Sequence, residues 1–263
     1  MSKYLITGAA GGMGQAVAKI LTASGDEVWG IDIHEAAEYP LFHMIRADLC
    51  DMVAVDNAEI QIRQQTEELD AIIHMAGIYD LDSLTEIPEE SFIRDFNVNV
   101  FAAYRINRTF VPMLKKNGRI IIISSELAPL NPLPFTGIYA VTKSSLEKYA
   151  AALRMEIQML GHPVIVIRPG AVRTDMIPES CRKLDEFCDK TLLYHTNADR
   201  FRKIVSRIEA RNVPPERVAA LISKALNAKH PKSVYKLNRN PLLLLLNALP
   251  QKIQLRIIRK ILS

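Results

Sequence analysis

Short apolar runs alternate with longer stretches of helical periodicity along the chain. Tyr4–Thr7, Glu27–Asp32, Phe42–Ala47, Ala71–His74, Arg119–Ser124 and Val164–Arg168 read as strands, with a weaker seventh at Ser233–Leu237. Gly12–Ser24, Met52–Glu68, Phe92–Lys115, Ile138–Leu160 and Glu216–Ala228 read as helices, three of them stopped by Gly25, Asn117-Gly118 and Gly161. Ile120–Ile123 and Val164–Ile167 are apolar at every position, as strands covered on both faces must be. The alternation predicts βαβ units and an α/β fold: a Rossmann-like, doubly wound parallel sheet with helices on both faces.

The expected organisation is a single domain over residues 1–240. Within it, 177–213 is polar and irregular, which suits a lid or specificity insert, or a plain pair of surface helices. Residues 241–263 form an apolar and basic tail. Ile253, Ile257, Ile258, Ile261 and Leu262 recur at helical spacing with Lys252, Arg256, Arg259 and Lys260 among them. Such a helix can rest on an anionic bilayer surface, close over an apolar pocket or pack on a second subunit. The run Leu242–Leu246 needs a cover in any of these settings.

Composition sharpens this picture. With 49% hydrophobic and 24% charged residues in 263, the chain is globular. The formal charge of +4 conceals an uneven distribution. Residues 218–263 hold nine Lys/Arg and no Asp/Glu, leaving 24 basic against 29 acidic residues in the rest. The basic side chains alternate with aliphatic rather than aromatic ones, which argues against nucleic acid as a partner. Cys50, Cys181 and Cys188 form no Cys-x-x-Cys and have no zinc-like histidine set, so free thiols, no metal site and a reducing, cytoplasmic setting are expected. No charged leader precedes the first strand, and no apolar run approaches the roughly 18 residues of a membrane span. Peripheral membrane contact through the tail stays open.

The chemistry begins at Thr7-Gly8-Ala9-Ala10-Gly11-Gly12-Met13-Gly14, between strand one and helix one. Glycine there lets backbone turn tightly and approach a diphosphate at a helix N-terminus. Asp32, eighteen residues after Gly14, ends strand two, where a carboxylate accepts from ribose hydroxyls and repels a 2′-phosphate. Ile33 and His34 supply no cation for such a phosphate, so NAD is expected over NADP. Tyr139 and Lys143 stand at i and i+4 on one helix face. An ammonium one turn away, helped by an oxidised nicotinamide, lowers the phenol's pKa and suits it to proton exchange with an alcohol or ketone oxygen.

TGAAGGMG, Asp32, Asp48, Ala76-Gly77, Asn99, Ser125, Tyr139-Ala140-Val141-Thr142-Lys143 and RPGAVRT occur in the order seen in short-chain dehydrogenases/reductases, and residues 3–175 resemble that family. The resemblance implies Tyr139 as general acid/base and Lys143 as the residue that binds the nicotinamide ribose and tunes Tyr139. Ser125 would bond the substrate oxygen, and Asn99, at a helix kink, would hold a water in a relay to Lys143. Thr7, Gly8, Gly12, Met13 and Gly14 would line the pyrophosphate. Asp48 and Leu49 would flank the adenine, Ala76 and Gly77 would lie beside the cofactor, and Pro169, Gly170, Val172 and Thr174 would hold the carboxamide end. Leu153-Arg154-Met155-Glu156 and RPGAVRTDM look most like the branch acting on hydroxysteroids, retinoids and similar apolar alcohols. A homodimer or homotetramer through Phe92–Lys115 and Ile138–Leu160 is implied as well.

Three features depart from the family pattern. His74-Met75-Ala76-Gly77 stands where Asn-Asn-Ala-Gly is usual, and His74 is expected to be structural. Ser125 precedes Tyr139 by fourteen positions rather than thirteen, which leaves Ser124 as an alternative. Glu126 replaces a small residue, and if it points inward it sits close to the substrate. The expected activity is NAD-dependent interconversion of an apolar secondary alcohol and its ketone. A non-catalytic NAD-binding regulator and an epimerase or dehydratase are the competing classes.

Overall fold

The computed structural model describes residues 1–34, 42–174, 176–209 and 211–263, without the side chains of 177 and 206–209. Seven parallel strands form one sheet in the order β3-β2-β1-β4-β5-β6-β7. They are β1 (Lys3–Thr7), β2 (Glu27–Asp32), β3 (His43–Arg46), β4 (Leu69–His74), β5 (Leu114–Ile123), β6 (Val164–Pro169) and β7 (Val234–Leu237). The fold is the expected Rossmann-like α/β architecture.

Alternate strand residues feed opposite faces, since strand side chains have a period of two. Leu5, Ile31, Ile72, Ile120 and Ile122 face α2 (Met52–Arg63), α4 (Ala102–Phe110) and α5 (Gly137–Ile157) through Val55, Ile62, Ile106, Phe110 and Leu146. Ile6, Val28, Ile73, Ile121 and Ile165 face α1 (Gly12–Ala23) and α8 (Pro215–Asn227) through Val17, Leu21, Val218 and Ile222. The wholly apolar strands β5 and β6 therefore lie between two helical layers.

Three segments differ from the sequence expectation. α2 stops at Arg63 rather than Glu68, because Thr66 folds its hydroxyl onto both the carbonyl and the N–H of Glu68 and so competes with the helical ladder. The expected helix 92–115 is α3 (Glu89–Phe96), a π-turn at Asn97–Phe101, α4 and a 3₁₀ turn at Val111–Met113. Pro112 has no N–H to continue a helix, and Leu114 already pairs with Leu69 in the sheet. The stretch expected to be irregular from 177 folds as α6 (Met176–Lys190) and α7 (His195–Glu209); its residue 210 lies outside the described residues. The tail is broken by Pro250 into α9 (Pro241–Ala248) and α10 (Gln251–Leu262).

A third apolar cluster joins these additions to the body. Leu184 and Phe187 of α6, Phe201 and Val205 of α7 and Leu262 of α10 close on Leu81 and Phe135. Phe135 lies 4.9 Å from Phe187, 5.3 Å from Tyr194 and 5.4 Å from Phe201 between ring centroids. Its backbone sits at φ +61°, an uncommon conformation for a bulky side chain. Glu86 fastens the α6–α7 turn, accepting from Thr191 Oγ1 at 2.6 Å and from the Leu192 N–H at 2.8 Å.

His74, at the end of β4, places Nε2 2.8 Å from Asn107 Oδ1, and Asn107 Nδ2 donates to the Tyr149 hydroxyl at 3.0 Å. The chain ties the sheet to α4 and α5, a bracing role. Burial holds the imidazole down to about 4, against an ordinary 6.5, with the Asn107 bond opposing weakly. The unfolded chain therefore binds a proton first, and stability present above pH 6.5 is lost as pH falls towards 4. A loss of about 2 kcal/mol is expected between pH 7 and pH 5. Urea midpoints across that range should show it in the native chain and not in His74→Gln.

Candidate active site

The site lies where β1, β4, β5 and β6 end, on the same edge of the sheet. The loop after β1 enters at Gly8, in the left-handed region at φ +68°, where a Cβ would come within 2.6 Å of the Ala76 nitrogen. Gly14 packs equally hard: a Cβ there would sit 2.2 Å from the Gly8 carbonyl oxygen. No side chain caps α1, so its N-terminal dipole faces the groove beside Gly12 and Met13. Thr7 holds the floor, its hydroxyl accepting from the Met75 N–H at 3.2 Å and the Ala76 N–H at 3.4 Å. This cradle fits a diphosphate. Asp32 aligns its carboxylate at the far end by accepting from Ala10 N–H and His34 N–H, both at 3.0 Å. Exposed Asp48 accepts the Cys50 N–H at 2.8 Å, and Leu49 is buried beside it.

At the opposite end one pocket brings together Met13, Gly77, Ser125, Tyr139, Lys143, Pro169, Gly170, Val172 and Thr174. Gly12 borders it, since a Cβ there would touch Thr174 Cγ2 at 3.3 Å. Lys143, buried on α5, donates from Nζ to the Ile123 carbonyl at 3.2 Å and lies 5.7 Å from the centre of the Tyr139 ring. Burial pulls its ammonium down to about 8, with Glu147 resisting. Burial pushes the Tyr139 hydroxyl up to about 12, with Ser125 lowering it by a hydrogen bond and Glu126 raising it further. Burial dominates this shift in the chain without its cofactor.

Asn99 occupies the π-turn and spends its amide on structure. Oδ1 accepts the Ile78 N–H at 2.8 Å, and Nδ2 donates to the Ile78 carbonyl and to Thr142 Oγ1, both at 3.0 Å. The π-turn thereby clamps the loop after β4 to the helix of Tyr139 and Lys143. A Cβ at Gly77 would lie 3.1 Å from Asn99 Oδ1 and 3.2 Å from Lys143 Nζ, so glycine keeps that corner open.

Ser125 stands against Tyr139 and accepts the Leu127 N–H at 3.1 Å. Ser124 also lines the pocket, and its buried hydroxyl has no partner among the described residues. Sequence reasoning missed Tyr79, whose ring meets Tyr139 edge-on at 4.5 Å, and Phe201 and Leu243, which come from α7 and the tail helix α9. Two residues after Gly77, Tyr79 carries no periodic signal; Leu243 was visible only as part of an apolar run. Glu126 points inward, as its position allowed, and accepts the Asn240 N–H at 2.7 Å. Leu133, Phe201 and Leu243 also line an apolar groove between α7, α9 and α10, so pocket and groove share a wall.

The short chain dehydrogenase family model matches residues 3–185, and the chain belongs to that family. It is 27% identical over 229 residues to the 3-ketodihydrosphingosine reductase of Bacteroides thetaiotaomicron, covering 86% of this chain and 84% of the relative. It is 28% identical over 250 residues to an NADPH-dependent 3-dehydrocapnine reductase of Ornithobacterium rhinotracheale, covering 89% and 87%. The fold of Thermoplasma acidophilum aldohexose dehydrogenase superposes with a TM-score of 0.75 at 17% identity, over 91% of this chain and 95% of that one. The protein is thus a short-chain oxidoreductase acting between ketone and alcohol, with a nicotinamide cofactor of the kind this family uses.

Asn99→Ala strands the polar backbone groups of Ile78, and a loss of about 1–3 kcal/mol is expected. Thr142→Val removes one of the three bonds and should lose less. Chemical denaturation of the two variants beside the native chain checks the order.

Proposed function

We propose that this chain reduces a lipid-like ketone to a secondary alcohol with NADH, Tyr139 delivering the proton. The observation that carries the reading is a mainly apolar pocket whose wall brings Tyr139 together with Ser125 and Lys143. The glycine cradle, Asp32, Asp48, Leu49 and the Ala76-Gly77 pair would hold the nucleotide, and Pro169, Gly170, Val172 and Thr174 its nicotinamide end. When bound, the nicotinamide supplies the hydride. Tyr139 and Ser125 direct their hydroxyls at the ketone oxygen, and the Tyr139 proton passes to that oxygen as negative charge develops. Lys143 holds positive charge near the phenolate so formed, and Asn99 keeps the helix carrying both residues in place. The reverse oxidation uses the same groups.

The substrate class follows from the shared wall of pocket and groove and from the ketone reductases among the relatives. An apolar chain can lie along Leu133, Phe201 and Leu243. This narrows the hydroxysteroid and retinoid likeness to lipid-like ketones, with a long-chain 3-ketone such as 3-ketodihydrosphingosine as the first to try.

NADH rests on Asp32. Arg46 favours a second reading: it lies opposite Asp32 in the register of β2 and β3 and donates from Nε to the Ile33 carbonyl at 3.1 Å, where a 2′-phosphate would find a cation. Oxidation of NADH and NADPH, followed at the reduced-cofactor absorbance with 3-ketodihydrosphingosine, decides between the two. Tyr139→Phe should lower turnover by about 10²-fold or more while cofactor binding persists. Unchanged turnover in that variant overturns the mechanism, and cofactor binding with no turnover of any ketone leaves a binding regulator.

The tail docks on an anionic bilayer surface. Leu242 and Leu245 are each 65% exposed and Leu255 60%, and Arg239, Lys252, Arg256, Arg259 and Lys260 are interspersed along a segment, 218–263, that holds no Asp or Glu. Among the described residues no helix is long and apolar enough to cross a membrane. Sedimentation with phosphatidylglycerol vesicles is expected to carry the protein down, phosphatidylcholine vesicles much less, and Leu242→Asp/Leu245→Asp to release it. Equal failure on both vesicles, or a dimer in solution that covers this face, overturns the assignment.

A further inference from the structure

Proton transfer accounts for Tyr139 and Lys143 but leaves Glu126 without a task. Its side chain is 6% exposed, follows Ser125 directly and lines the same pocket as Ser125 and Tyr139. Oε2 accepts the Asn240 N–H at the start of α9. Oε1 turns towards Gly170, where even a Cβ would come within 2.9 Å. Burial raises this carboxyl above the usual range, the Asn240 N–H and Arg239 oppose that shift, and Arg239 closes no ion pair with it among the described residues.

A carboxylate in an apolar wall with one N–H partner is costly unless a cation meets it. A tether for Asn240 alone would not require a charge, because an amide oxygen accepts the same bond. An alkyl ketone gains nothing from this group and must desolvate it. A ketone with an ammonium on the adjoining carbon repays that cost, for such a substituent lies roughly 3 Å from the carbonyl oxygen by ordinary bond geometry.

Resting on the ketone-reductase reading, we infer that Glu126 is a substrate-binding residue that receives an ammonium next to the reacting carbonyl, making long-chain 2-amino ketones the substrate class of this pocket. The apolar groove takes the chain, Ser125 and Tyr139 take the oxygen and Glu126 takes the nitrogen. Specificity then comes from a buried charge that neutral analogues leave unpaired.

The test compares 3-ketodihydrosphingosine with its N-acetyl derivative, which has the same chain and ketone but no charge. The native chain is expected to favour the amine by about 30-fold or more in kcat/KM, carried mainly by KM. Glu126→Gln keeps an acceptor for Asn240 and should bring the ratio close to one. In parallel, the amino alcohol dihydrosphingosine should raise the melting temperature of the native chain and not that of Glu126→Gln. A native chain that reduces both ketones equally, or a variant that loses both in proportion, overturns the ammonium site and leaves the reductase reading intact. A native chain that reduces neither ketone overturns the reductase reading itself.

Discussion

An ammonium withdrawn from water at the carboxyl edge of a parallel sheet sets the terms for the surrounding structure. Lys143 has the Ile123 carbonyl as its direct partner, the Tyr139 ring to one side and Glu147 one turn on. Holding a charge there requires the edges of β4 and β5 and one face of α5 to meet at fixed spacing. The π-turn with Asn99 provides that spacing, because an extra residue in the turn brings a side-chain amide to both Ile78 and Thr142. Gly77 keeps the corner free of a side chain that would push Asn99 and Lys143 apart. Sheet, kink and catalytic helix thus form one mechanical unit.

Much of this was readable from residue order. Strands apolar at every position could only be central, and Ile120–Ile123 and Val164–Ile167 are flanked by strands on both sides. Glycines at 8 and 14 announced close backbone approach, and the Cβ distances give its size. The π-turn was not readable beyond a kink, because it depends on partners distant in sequence. Helices α6 and α7 left a trace in Leu184, Phe187 and Cys188 and in Ala198, Phe201 and Val205, all at helical spacing. Dense charge on their outer faces, such as the Arg182 pairs with Glu179 and Glu186, obscured it. The i, i+4 pattern placed Tyr139 and Lys143 on one helix face but carried no trace of how deeply both are buried.

Glu126 joins the reaction centre to the tail. Its carboxylate holds the residue that caps α9, for Asn240 Oδ1 accepts the Leu242 N–H at 3.0 Å. The exposed leucines therefore begin two residues from a direct contact with the pocket wall. The acidic body and the basic tail meet at this point, so the charge asymmetry of the chain has a structural junction.

Phe135 has a wider consequence. A bulky residue at positive φ costs about 1–3 kcal/mol, and here three aromatic rings of the α6–α7 region hold it there while its carbonyl accepts the Asp82 N–H at 2.9 Å. Its loop joins Ser125 to Tyr139. The α6–α7 region therefore sets the path of the loop that spaces the two hydroxyls, and a change in its aromatic packing reaches the reaction centre without touching it.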